Sequence, residues 1–160
     1  MITNFLLDHS ALVPVALLLV ALVCVGVGLL VPRRVLWVLL GLSVLPVFAL
    51  TLVPTFDSRV AYDACTVQFS VPGLGTVELL ANVALFVPPV FFAVLVTRRP
   101  VWMLLAGSGL SAVIEGVQAL VPAIGRACDT NDWMMNTIGA VIGVLLALGT
   151  MWIWSRRTPR

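Results

Sequence analysis

The stretch from Glu115 to Asn136, EGVQALVPAIGRACDTNDWMMN, leaves one long apolar run, crosses a short polar loop and enters a second apolar run. It places Glu115, Gln118, Arg126, Asp129, Asp132 and Asn136 within 22 residues of a chain that is 61% hydrophobic and only 10% charged. A soluble domain carries about 25% charged residues, so this composition describes a protein embedded in a membrane. Mean hydropathy is +1.15, and there is no lysine. Polar side chains gathered in so apolar a chain need either each other or a ligand.

Working outward from that stretch, the apolar runs resolve into five spans. Leu12 to Val31 is an uninterrupted run of 20 residues. At about 1.5 Å per residue it crosses about 30 Å of hydrocarbon. Its positive charges follow the run instead of preceding it, so it reads as a retained span and not as a signal peptide. Further spans are expected at residues 35–53, 76–96, 101–121 and 133–154. They are flanked by an N-terminal tail, residues 1–11, and a C-terminal tail, residues 155–160. The expected fold class is all-α: a polytopic transmembrane bundle, with Pro46 a kink point in the second span. Trp37, Trp102, Trp133, Trp152 and Trp154 sit near span ends, as an aromatic belt requires.

Arginine sets the expected orientation. Arg33, Arg34, Arg98, Arg99, Arg156, Arg157 and Arg160 all fall at the ends of spans one, three and five, whereas the other side holds Arg59 and Arg126. Basic short loops stay cytoplasmic, which puts the N-terminus outside and the C-terminus inside. The loop over residues 54–75, with Asp57, Ser58, Arg59, Tyr62, Asp63, Gln68, Pro72 and Gly73, is then extracytoplasmic, with room for a short helix or a hairpin that the sequence does not decide. Cys65 and Cys128 occupy the two outer loops, in a compartment that permits disulfides. They form a bond with each other or remain two unrelated thiols. Cys24, inside span one, reads as a buried apolar thiol.

Helical spacing groups the polar residues. Ser108, Ser111, Glu115 and Gln118 recur at intervals of three and four and share a face of span four. Glu115 stands six residues before the end of that span, roughly 9 Å below the outer boundary. Glu78 and Asn82 share a face of span three, as do Asp132 and Asn136 of span five. A charge facing lipid costs about 2.5 to 3.5 kcal/mol at a helix centre, so several at matching depth argue for an interior cluster. Arg126, just above, is the cation expected to reach Glu115, Glu78 or Asp132 as a bidentate partner. Two readings stay open: a polar clasp worth roughly 1 kcal/mol per hydrogen bond, or a site open to the outer leaflet. Ser108 and Ser111 are expected to bond back to their own helix. Gly139, Ala140, Gly143 and Ala147 form a small-residue stripe that admits another helix, more naturally one of the same chain than of a second copy.

Standard catalytic patterns are missing. His9 is the only histidine, which argues against histidine metal sites and Ser-His chemistry. No metal site and no cofactor is assigned. Carboxylate chemistry, with Glu115 as candidate acid or base, and a hard cation held by Glu78, Glu115 and Asp132 both stay open. No basic patch interleaved with aromatics points to nucleic acid.

These residues also carry a family resemblance. Glu78-x3-Asn82 with Phe86-Val87-Pro88, Ser111-x3-Glu115-x2-Gln118, and Arg126-x2-Asp129-x2-Asp132-x3-Asn136-x2-Gly139-Ala140-x2-Gly143 resemble the VanZ-like family, over roughly residues 35–150. Thr51-Leu52-Val53-Pro54 fits the opening of the family pattern. Pro89 departs from it, standing where a glycine is common. The resemblance implies a multi-pass protein of the bacterial cytoplasmic membrane, from a family whose namesake is linked to low-level resistance to the glycopeptide teicoplanin. Its motif positions fall on Glu78, Asn82, Glu115, Gln118, Arg126, Asp132 and Asn136. These are the residues expected to bind a membrane lipid or a lipid-linked cell-wall precursor. Oligomeric state is left open.

Overall fold

A computed structural model describes residues 12–54, 65–70 and 77–157. The N-terminal tail with Asp8 and His9, the end of the C-terminal tail, and the loop positions Asp57, Ser58, Arg59, Tyr62, Asp63, Pro72 and Gly73 lie outside the described residues. Five helices account for nearly all of the rest: α1 (Leu12–Leu30), α2 (Arg33–Leu52), α3 (Val77–Thr97), α4 (Pro100–Leu120) and α5 (Thr130–Arg157). Each is long and apolar enough to cross a membrane, so the chain is a multi-pass helical membrane protein.

The helices obey their local signals. Pro100 opens α4 at a position where a missing backbone N–H costs nothing. α5 begins at Thr130, before the apolar run does, because Asp129 caps it. The Asp129 carboxylate accepts the Asn131 amide at 2.8 Å, and its carbonyl accepts the Asp132 amide at 3.1 Å. That cap converts Thr130, Asn131 and Asp132 from loop to first helical turn. At the other end α5 carries Arg156 and Arg157 in its last turn, where cations complement the helix dipole.

α3 is the axis of the bundle and packs against all four other helices. Phe86, Val87, Phe91, Val94, Leu95 and Val96 are each at most 1% exposed. By contrast α1 and α2 present Leu18, Leu22, Val38, Leu42 and Leu45 outward, the surface that a hydrocarbon solvent accepts. The closest approach is between α3 and α5, and the small-residue stripe explains it. A β-carbon at Gly139 would strike the Val83 carbonyl oxygen, and one at Gly143 would stand 2.7 Å from the Val87 carbonyl oxygen. Within this chain the stripe therefore receives α3. Cys24 is buried in the same core, 4% exposed, and is a free thiol.

The six arginines at the helix ends, Arg33, Arg34, Arg98, Arg99, Arg156 and Arg157, gather at one end of the bundle. Arg33 Nη2 donates to the Val96 carbonyl at 2.6 Å, and the Arg98 guanidinium lies 4.9 Å from the centre of the Trp154 ring. At the opposite end Cys65 and Cys128 form a disulfide. The described part of the loop between α2 and α3 is neither helix nor hairpin. Residues 65–70 run extended and pair in parallel with the segment that leads into α5. The Thr66 amide donates to the Cys128 carbonyl at 2.9 Å and the Thr130 amide to the Thr66 carbonyl at 3.1 Å. Gln68 Nε2 reaches the Asp129 carboxylate at 2.5 Å, and the Ser70 amide donates to Asn131 Oδ1 at 2.9 Å. Disulfide and pairing together latch the loop over the start of α5.

Candidate functional site

At the same end of the bundle, four helix ends surround a cavity of about 470 Å³. Glu78 and Asn82 enter from the start of α3, Glu115 and Gln118 from the end of α4, and Asp132 and Asn136 from the start of α5. Arg126 comes from the connection between α4 and α5. All seven expected site residues thus line one space. Depth follows helical register: Glu78 is exposed at the mouth, whereas Glu115, Gln118 and Asn136 are buried.

Hydrogen bonds tie the lining together across helices. Asn82 Nδ2 donates to Asp132 Oδ1 at 2.6 Å, joining α3 to α5. Asn136 Nδ2 donates to Ser111 Oγ at 2.9 Å, and the hydroxyls of Ser108 and Thr137 lie 3.0 Å apart, joining α4 to α5. Ser108 and Ser111 therefore bond across to α5 and not, as expected, back into their own helix. The reason is the close approach at Gly107, where a β-carbon would stand 3.3 Å from that of Ala140. Gln118 Nε2 donates to the Thr51 carbonyl at 2.9 Å. The last carbonyls of a helix lack an intrahelical partner, and this amide supplies one at the end of α2. Glu115 Oε2 accepts the Asp129 amide at 2.8 Å, holding the loop down on the end of α4.

Arg126 departs from expectation. The bidentate pairing with a carboxylate does not form among the described residues, where Glu115 is engaged by the Asp129 amide and Asp132 by Asn82 instead. Its Nε is buried and has no hydrogen-bond partner among the described residues. Asn136 Oδ1 is the other buried side-chain atom left in this state, on a residue 2% exposed. An unsatisfied buried donor or acceptor costs about 1 to 3 kcal/mol, so both atoms are held against a local penalty. The hard-cation alternative also fails on geometry. Among the described residues no three acidic, thiol or imidazole groups converge as a metal site would need.

The profile of the VanZ/LLP1 family matches residues 15–154 of the chain. The chain belongs to the VanZ/LLP1 family. A comparison with curated proteins and one with solved structures found no match. The family match begins within α1 and so includes the helix that the motif resemblance, starting near residue 35, left out.

Motif reading missed part of the lining. Leu50, Thr51, Ala81 and Leu85 also face the cavity. Thr51 had a signal: as the start of Thr51-Leu52-Val53-Pro54 it belongs to a helix end, where a carbonyl seeks a donor. Ala81 and Leu85 had none, because apolar residues in an apolar span look alike whether they meet lipid, core or cavity.

Proposed function

We propose that this cavity faces the extracytoplasmic side and binds the phosphate-bearing head group of an amphiphile, a membrane lipid or a lipid-linked cell-wall precursor. One observation carries this reading over a simple clasp. A clasp satisfies its polar atoms with one another, but here two residues of the lining, Arg126 and Asn136, each keep a buried side-chain atom without a hydrogen-bond partner among the described residues. Arg126 is the phosphate ligand, being the only cation in the lining among the described residues. Asn82, Gln118 and Asn136 orient the head group. Glu78, Glu115 and Asp132 hold Arg126 in place electrostatically.

An amphiphile also needs room for its tail. An apolar cleft of about 130 Å³ lies between α2, α3 and α4, lined by Val47, Phe86 and Leu110 among others. It starts next to the polar cavity on α3, where Leu85 lines one and Phe86 the other. α2 and α4 touch little, which leaves a seam through which a chain enters from the bilayer. The orientation follows from the arginine-rich end, which positive-inside bias assigns to the cytoplasm of a bacterial inner membrane. An envelope ligand fits the link to teicoplanin resistance that the family resemblance implies.

Native mass spectrometry of the protein extracted with its host lipids tests this. Wild type is expected to hold a phosphate-bearing lipid that Arg126→Ala, equally folded, releases. Equal retention by both forms, or no specific adduct on the wild type, contradicts the proposal.

A further inference from the structure

Each polar side chain of the cavity wall spends part of its hydrogen-bonding capacity on the protein and keeps the rest. Asn82 gives an amide hydrogen to Asp132 Oδ1, Gln118 gives one to the Thr51 carbonyl, and Glu115 Oε2 accepts the Asp129 amide. Left over are Asn82 Oδ1, Gln118 Oε1, Glu115 Oε1 and Asp132 Oδ2. They have no hydrogen-bond partner among the described residues, yet they are not cut off from water as Asn136 Oδ1 is. Three helices supply them, so the acceptors surround the space instead of sharing one corner. The terminal nitrogens of Arg126 are reachable in the same way, unlike its Nε. Such a wall calls for several donors spread around one body. A bare phosphate only accepts, and an ammonium donates from a single point. A hydroxyl donates and accepts at once, so it pairs with an amide oxygen and with a carboxyl group in either protonation state. Size agrees: about 470 Å³ lies within the range of about 300 to 1,000 Å³ for pockets that enclose a whole small molecule.

We infer that the head group is a phosphate bearing a polyhydroxylated ring, a sugar or cyclitol phosphate. This inference rests on reading the cavity as a phosphate head-group site. The phosphate accepts from the terminal nitrogens of Arg126. The ring hydroxyls donate to Asn82 and Gln118 and to the second oxygens of Glu115 and Asp132, each from a different edge of the ring. The bonds already made to Thr51, Asp129 and Asn82 hold those acceptors in place before a ligand arrives, which lowers the ordering cost of binding.

The test uses the full-length protein in detergent, titrated in native mass spectra with lipids of identical acyl chains. These are phosphatidylinositol, the same lipid with its ring hydroxyls methylated, phosphatidylethanolamine, phosphatidic acid and a phosphate-free glucosyl diacylglycerol; soluble inositol phosphate is the competitor. Wild type is expected to hold phosphatidylinositol about tenfold tighter, or more, than the other four, since each retained hydrogen bond contributes up to about that factor. Gln118→Leu erases most of that preference and leaves phosphatidic acid binding unchanged. The lipid series on wild type stands even if the variant fails to fold. If the methylated lipid, phosphatidylethanolamine or phosphatidic acid binds within about twofold of phosphatidylinositol, the hydroxyls are dispensable and this inference falls, while the phosphate head-group reading stands. Equal binding of the glucosyl lipid makes the phosphate dispensable and overturns both. Inositol phosphate binding as tightly as the lipid supports the ring-phosphate chemistry and removes the lipid as its source. No binding of any probe overturns both readings.

Discussion

The two ends of this bundle handle polar groups in opposite ways. At the arginine-rich end the cations turn outward or along the surface. Arg33 caps the end of α3 through the Val96 carbonyl, and Arg98 and Arg156 lie over the Trp154 and Trp152 rings, 4.9 and 4.3 Å from their centres. At the other end the polar side chains turn inward around a cavity, and a disulfide ties the neighbouring loop to the start of the last helix. The first arrangement anchors a helix bundle at an interface, where long side chains reach water easily. The second keeps ionisable groups inside, at a cost that anchoring alone does not require.

That contrast depends on the α3–α5 contact, which carries both ends, and breaking it should have the largest effect. Gly139→Val forces a branched side chain into the Val83 carbonyl, a backbone atom that cannot swing aside. Overpacking of this kind costs about 1 to 3 kcal/mol or more, so folded protein in the membrane should fall sharply. Gly149→Ala on the same helix meets nothing within 4 Å and should leave abundance unchanged. Equal tolerance of both substitutions would remove α3–α5 packing as the organising contact.

Next in size is the latch. A bond between residues 63 apart restricts the unfolded chain by an amount worth roughly 4 kcal/mol in the chain-entropy account. Reductant, or Cys65→Ser with Cys128→Ser, should lower the melting temperature and expose the start of α5 to protease before the arginine-rich end responds. A uniform response at both ends would mean that the latch does not protect the cavity end in particular.

How far the sequence reveals these two ends depends on what hydropathy measures. Transfer free energy marks the five spans, and helical spacing brings Glu78, Asn82, Glu115, Gln118, Asp132 and Asn136 to comparable depth. Neither quantity reports on capping, so the polar start of α5 at Thr130 reads as loop until the Asp129 cap is seen. Neither distinguishes a serine bonded to its own helix from one bonded across a contact made possible by Gly107. Arg126 was the most misleading residue. Opposite charges nearby suggest a salt bridge, but the carboxylates had already found backbone and amide donors closer at hand.

A pair of arginine substitutions sharpens the comparison at smaller scale. Arg33→Ala removes a charge-assisted hydrogen bond and should cost about 1.5 to 3 kcal/mol at most, less where water reaches the site, without changing ligand retention. Arg126→Ala removes an unpaired donor and should leave the melting temperature of the ligand-free protein within about a degree of wild type, while abolishing retention. Smallest of all, Trp152→Leu loses the cation–π contact with Arg156, worth about 0.5 to 1 kcal/mol at an exposed site. It should lower the melting temperature slightly, with lipid binding untouched.

The proposed head-group site requires the inward-turned end to be open to the extracytoplasmic side. Ala81 lines the cavity, is exposed and takes part in none of its hydrogen bonds, so Ala81→Cys places a thiol there with little disturbance. Reaction of that variant with a membrane-impermeant maleimide should be measured in right-side-out and inside-out vesicles, with the buried Cys24 of the wild type as background. Labelling in right-side-out vesicles alone, slowed when the bound lipid is restored, is the predicted result. Labelling in inside-out vesicles alone would reverse the orientation, and a thiol unreactive from both sides would contradict an open cavity.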